Sequence, residues 1–226
     1  MLDKLKKYNR LNETLFLFVL STGCFSITVF RAFYAHSKQY LFLNWNLFLA
    51  FMPWILSSLM IINPELRRKK PVIFLLLISW LVFFPNAPYI LTDLFHLCDW
   101  GGMPQWFDLL MILCFSWTGL LFGFLSLWDI ETLFKNRINP KIIPFLSSAF
   151  LFVGGFGVYA GRYLRWNSWD IIRRPLVIMG DITERVINPT EHKTWAVTFF
   201  MGLFLNIIYW SFRFIRTREN DININS

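Results

Sequence analysis

Six apolar stretches of spanning length, separated by short polar segments, set the pattern of this chain. They run at about residues 15–33, 41–62, 72–91, 106–128, 142–160 and 195–214, each close to the roughly 20 residues a helix needs to cross a hydrocarbon core. The pattern predicts an all-α membrane protein, a single integral-membrane domain of six transmembrane helices with a polar tail over residues 215–226. In the third stretch Pro85 and Pro88 bracket Asn86 and Ala87. Each proline removes a helical hydrogen bond and clashes with the preceding turn at a cost of roughly 3 kcal/mol, so a break is expected there. Freed backbone is tolerated at membrane depth only inside protein or beside a polar cavity. Beyond the break a short second helix is expected from Tyr89 to Leu97, with Asp93 and His96 on one face. In the fifth connection Pro175 opens a segment in which Leu176, Met179, Ile182 and Val186 share a side, predicting an interfacial amphipathic helix before the last span. Asn188, Pro189 and Glu191 supply the start signal for that span.

Composition agrees with the bilayer: 56% of residues are hydrophobic and 16% charged, too oily for an ordinary soluble domain. The net charge of +8 arises from lysines and arginines between the apolar stretches, which fits membrane topology and not nucleic-acid binding. Basic residues around 4–10, 67–70, 135–141 and 213–218 outnumber those on the other side, which are Arg31, Lys38 and six between 161 and 194. Both termini are therefore expected in the cytoplasm. The first stretch contains Leu20-Ser21-Thr22-Gly23-Cys24, a faint lipoprotein cleavage box. The apolar run continues past it to Phe33, and a first membrane helix is the expectation. Cys24, Cys98 and Cys114 have neither disulfide nor metal spacing.

With directions assigned, the polar residues gather on the extracytoplasmic side. Asn44 and Asn46 open the second span, Asn86, Asp93 and His96 end the third, and Asp108 opens the fourth; Arg162, Arg165, Trp166, Asn167 and Asp170 follow the fifth. Asp93 with His96 is the acid/base candidate. Continuation of the fifth helix puts Arg162 and Arg165 on one face, as phosphate or carboxylate ligands, with Asp108 balancing them. Asn44, Asn46, Asn86, Trp166, Asn167 and Asp170 are candidates for orienting a ligand; the bland reading of the segment from Arg162 to Asp170 is an interfacial aromatic belt with snorkelling arginines. Asp93, His96 and Asp108 lack a tight metal motif, and no metal is assigned. Gly119 with Gly123, and Gly154, Gly157 and Gly161, predict close helix packing.

The blocks NWNLFLAFMPW, WLVFFPNAPYILTDLFHL, WFDLLMILCFSWTGLLFGFLSL and GFGVYAGRYLRWNSWDI together resemble an uncharacterised bacterial integral-membrane family catalogued as a domain of unknown function. The resemblance runs from about residue 40 to the last stretch and implies a multi-pass protein of the bacterial plasma membrane. It carries no cofactor and no catalytic residues with it. Three functions stay open: a site binding or modifying an anionic or glycan-bearing envelope lipid, a small-solute or ion transporter, and a non-catalytic membrane subunit. The transporter reading meets a cytoplasmic half poor in polar residues, with Asn206 as the main exception.

Overall fold

A computed structural model describes residues 6–8, 10–97, 102–135, 137–166, 173, 180 and 192–224, with the backbone alone for 192, 193 and 217–224. Among these residues six helices are long and apolar enough to cross a membrane. The chain divides into two compact units, Met1–Asn139 and Pro140–Ser226.

In the first unit α1 spans Leu11–Tyr34, α2 Phe42–Ile62, α3 Pro64–Arg68, α4 Lys70–Phe83, α5 Asn86–Tyr89 and α6 Gln105–Lys135; a tight 3-10 segment, Ile90–His96, follows α5. Helix α6 is the hub. Its most apolar window is 72% buried against 22% for α1, as expected when a helix is apolar on every side and packs against protein all round. Phe18, Phe25 and Phe33 on α1 are exposed, which is what a lipid-facing side requires.

The third span is interrupted, and the interruption shows how broken backbone is satisfied. Helix α4 closes with the Phe84 amide donating to the Trp80 carbonyl at 2.8 Å, and the chain then tightens, with the Ala87 amide reaching only back to Phe84 at 3.1 Å. An unbroken helix would have directed that amide to Phe83. The Asn86 side-chain amide takes over there, donating to the Phe83 carbonyl at 2.9 Å. Chain winding resumes at once, through Pro88, and the stretch expected as a short α-helix is mostly 3-10. Pro53, by contrast, lies within α2 without ending it. One missing donor is tolerable in a span; two, three residues apart, are not.

Helix α6 receives the broken segment through Gly119 and Gly123. A Cβ at Gly119 would lie 2.9 Å from Ile90 Cδ1 and 3.0 Å from the Ala87 carbonyl oxygen, and one at Gly123 would lie 2.8 Å from the Ala87 Cβ. The small-residue pattern thus serves close packing. Gly123→Val is expected to cost about 1–3 kcal/mol by overpacking. Ala87→Gly, which removes the opposing methyl, should recover part of that loss in a thermal unfolding assay; no recovery would mean that the contact is not what limits position 123.

The second unit pairs α7, Ile143–Tyr163, with α8, His192–Ile224. They run antiparallel. Gly155 packs on Gly202, Phe152 stacks on Phe199, and the Trp210 indole donates to Ser148 Oγ at 3.3 Å. The close contact falls at Gly155, a position outside the expected trio of Gly154, Gly157 and Gly161. Asn206 donates to the Gly202 carbonyl and accepts from Trp210, both on its own helix, and so steadies the indole that reaches Ser148. The expected interfacial helix, the cap at Asn188 and Pro189, and Cys98 lie outside the described residues.

Candidate functional site

Two clusters of charged groups in the first unit each join α1 to α6. At the end where α1 finishes, Arg31 donates from Nε to Asp108 Oδ1 at 2.6 Å and from Nη2 to Oδ2 at 2.9 Å. Both residues are buried, at 1% and 2% exposure. Local electrostatics favours each partner before they meet: a cation suits the C-terminal turn of α1 and a carboxylate the first turn of α6. Antiparallel packing then brings the two ends together. The two-pronged geometry matches a guanidinium to a carboxylate, and the buried Tyr40 ring lies 4.3 Å from the Arg31 guanidinium carbon, adding a cation–π contact. Asp108 therefore neutralises Arg31, where the sequence suggested Arg162 and Arg165. Arg31, read as a connecting-loop charge, is an interior residue.

Around this pair the Tyr40 hydroxyl donates to the His96 carbonyl at 3.2 Å, and the His96 ring meets the Phe42 ring edge-on. Asn46 Nδ2 donates to Asp93 Oδ2 at 2.8 Å. Asn44 Nδ2 donates to Thr28 Oγ1 at 3.0 Å, one helical turn before Arg31. Asp93 is buried and His96 exposed, so these two candidates occupy different environments although three residues apart. Asn86 belongs to the broken backbone, through its bond to Phe83. Arg31 Nη1 is buried and has no hydrogen-bond partner among the described residues, and the same holds for Arg10 Nε of the second cluster.

The second cluster lies where α1 begins. Arg10 donates from Nη1 to Asp129 Oδ2 at 2.7 Å and from Nη2 to Glu13 Oε1 at 2.6 Å. Ser57 Oγ donates to the same Asp129 oxygen at 2.6 Å, and the Trp54 indole donates to Glu13 Oε1 at 2.9 Å. Burial works against the charge of Arg10, but Asp129 and Glu13 outweigh it and hold the guanidinium above its ordinary range. A cation at the start of α1 opposes the helix dipole, and Glu13 in the first turn offsets this. The expectation of a polar-poor half on this side is thereby overturned: its polar groups come from α1, α2 and α6, and none stood out as a local motif. A spacing did carry the signal. Arg10 to Arg31 and Asp108 to Asp129 are both steps of 21 residues, about 31 Å of helix.

In the second unit α7 stops at Tyr163, and Arg165 takes a left-handed φ of 57°. The Trp166 amide turns back to the Ala160 carbonyl at 3.2 Å. Arg162 lies in the last helical turn and Arg165 beyond it, so the shared helical face expected for them does not form. Left-handed residues end many helices, usually as glycine. Asn167 and Asp170 lie outside the described residues. Among the described residues no three His, Cys, Asp or Glu side chains lie close enough to hold a metal ion.

No curated protein and no solved structure matches the chain at a significant level. The family described as protein of unknown function (DUF1361) matches residues 45–208. That match takes in most of α2, the broken third span, α6 and most of the second unit, while Arg10 and Arg31 precede it. With well over half of its length matched, this six-span membrane chain belongs to the DUF1361 family.

Proposed function

We propose that the protein binds the anionic headgroup of a membrane lipid at the end of the first unit formed by Arg31, Tyr40, Asn46, Asp93, His96 and Asp108. The observation that carries this reading is the buried Nη1 of Arg31, a charged donor without an acceptor among the described residues. Leaving such a group unsatisfied costs on the order of 1–3 kcal/mol, more when charged, and a phosphate or carboxylate oxygen is the acceptor a guanidinium takes best. Asn46, His96 and the Tyr40 ring supply polar and aromatic surroundings suited to a headgroup, a glycan-bearing one included. The excess of basic residues near the chain termini and the 67–70 segment supports a topology with this end extracytoplasmic and both termini cytoplasmic, in a bacterial plasma membrane.

The test is native mass spectrometry of the gently extracted protein. Wild type should retain a defined anionic lipid adduct, and Arg31→Lys, which keeps the charge beside Asp108 but loses the fork, should lose it while melting near the wild-type temperature. Identical adduct spectra would remove the reading. A transport role draws support from the Arg10, Glu13, Ser57 and Asp129 cluster at the opposite end of the same helices. Solute flux into proteoliposomes that falls in Ser57→Ala, with lipid retention unchanged, would select it.

A further inference from the structure

Between α1 and α2 lies a cavity of about 350 Å³, lined by Leu17, Phe18, Ser21, Leu47, Phe48 and Phe51 among others, within the size range of small-molecule sites. We propose that it seats one hydrocarbon chain of the lipid whose headgroup meets Arg31. The identity of that lipid as anionic rests on the function proposed above. The occupant follows from where the cavity begins and ends.

Its upper end is Asn44, whose amide is bonded to Thr28. Thr28 and Arg31, three residues apart on α1, lie on one side of that helix. A headgroup at Arg31 is therefore next to the cavity mouth, and its tail has a direct way in. The far end has an aromatic floor: Phe51 stacks on Trp54 at 5.6 Å, and Phe122 meets both edge-on at 5.2 and 6.0 Å. Trp54 is held in turn by its bond to Glu13, so the floor rests on the Arg10 cluster. From Asn44 to Trp54 helix α2 rises about 15 Å, half of a hydrocarbon core and so the depth of one leaflet. A charged or strongly polar occupant would find few partners along those walls. Phe18, Phe25 and Phe48 are exposed at the rim, leaving the cavity open for a chain to enter sideways from the bilayer.

The experiment uses the full chain in phosphatidylcholine vesicles doped with phosphatidylglycerol carrying a photoactivatable diazirine in one acyl chain, with peptide mapping of the cross-links. Labels should concentrate on residues 17–25 and 44–51, several-fold above those at Phe145 and Phe200, which are exposed and apolar but belong to the second unit. Ser21→Phe, filling the cavity from a half-buried position, should cut the cavity labels several-fold and leave those at Phe145 and Phe200 unchanged. The wild-type map decides the matter by itself if that variant does not fold. Labels spread evenly over all exposed apolar positions, whichever headgroup carries the diazirine, would overturn the chain seat. Equal cavity labelling by a phosphatidylcholine probe would keep the seat and overturn the anionic reading, which separates the two failures.

Discussion

Asp108→Ala is expected to destabilise the first unit by about 3–5 kcal/mol, because it leaves the Arg31 guanidinium buried without its counter-charge. The loss exceeds that of an ordinary surface ion pair, about 0–1 kcal/mol, since neither partner has water to fall back on. Two double variants distinguish the causes. Arg31→Met with Asp108→Leu removes both charges and should recover most of the stability. The swap Arg31→Asp with Asp108→Arg restores the pair but places each charge against its helix dipole, at about 0.3–1 kcal/mol apiece, so it should recover less than the apolar pair. Thermal unfolding of the four proteins in nanodiscs gives the ranking. A single Asp108→Ala variant as stable as wild type would show that Arg31 finds another partner.

The second large effect is expected at the opposite end. Arg10→Met removes the cation that the Glu13 and Asp129 carboxylates share, and leaves two acidic groups facing each other beside Trp54. A loss of about 3–5 kcal/mol follows from the buried-charge argument. Ser57→Ala takes away only one hydrogen bond to the Asp129 carboxylate, worth roughly 1.5–3 kcal/mol, and should fall between Arg10→Met and wild type. Adding Asp129→Leu to Arg10→Met relieves the repulsion and should raise the melting temperature again. If Arg10→Met proves milder than Ser57→Ala, the cluster is held together by the hydroxyl and not by the guanidinium.

The six spans, the interrupted third helix and the tight seat at Gly119 and Gly123 were legible in the sequence because each follows from local composition or spacing. The site was legible only in part. Asn46, Asp93 and Asp108 lie at one end of the first unit, but Arg31, the buried partner of Asp108, reads along the chain as a loop charge. Arg31 lies near the end of an apolar stretch, where a charge that has surfaced and one that turns inward look alike along the chain. Its partner is 77 residues away, and the choice of Asp108 depends on α1 packing against α6, which loop order does not dictate. Arg10 was hidden by the same ambiguity. At Arg165 the difficulty was of another kind: whether a helix ends one residue sooner or later is decided by a single backbone torsion, and an arginine in the left-handed region gives no warning of it.

The matched 21-residue steps have a consequence for the bilayer itself. With Arg31 clipped to Asp108 and Arg10 to Asp129, helices α1 and α6 cannot slide along one another without losing both clips together. The apolar length between the clips, about 31 Å, nearly equals the average hydrocarbon thickness of about 30 Å. In a thinner membrane the pair has to tilt as a unit; in a thicker one the lipid has to compress around it. The protein thus carries its own thickness preference, and its stability across vesicles of increasing acyl length should peak where the two lengths coincide.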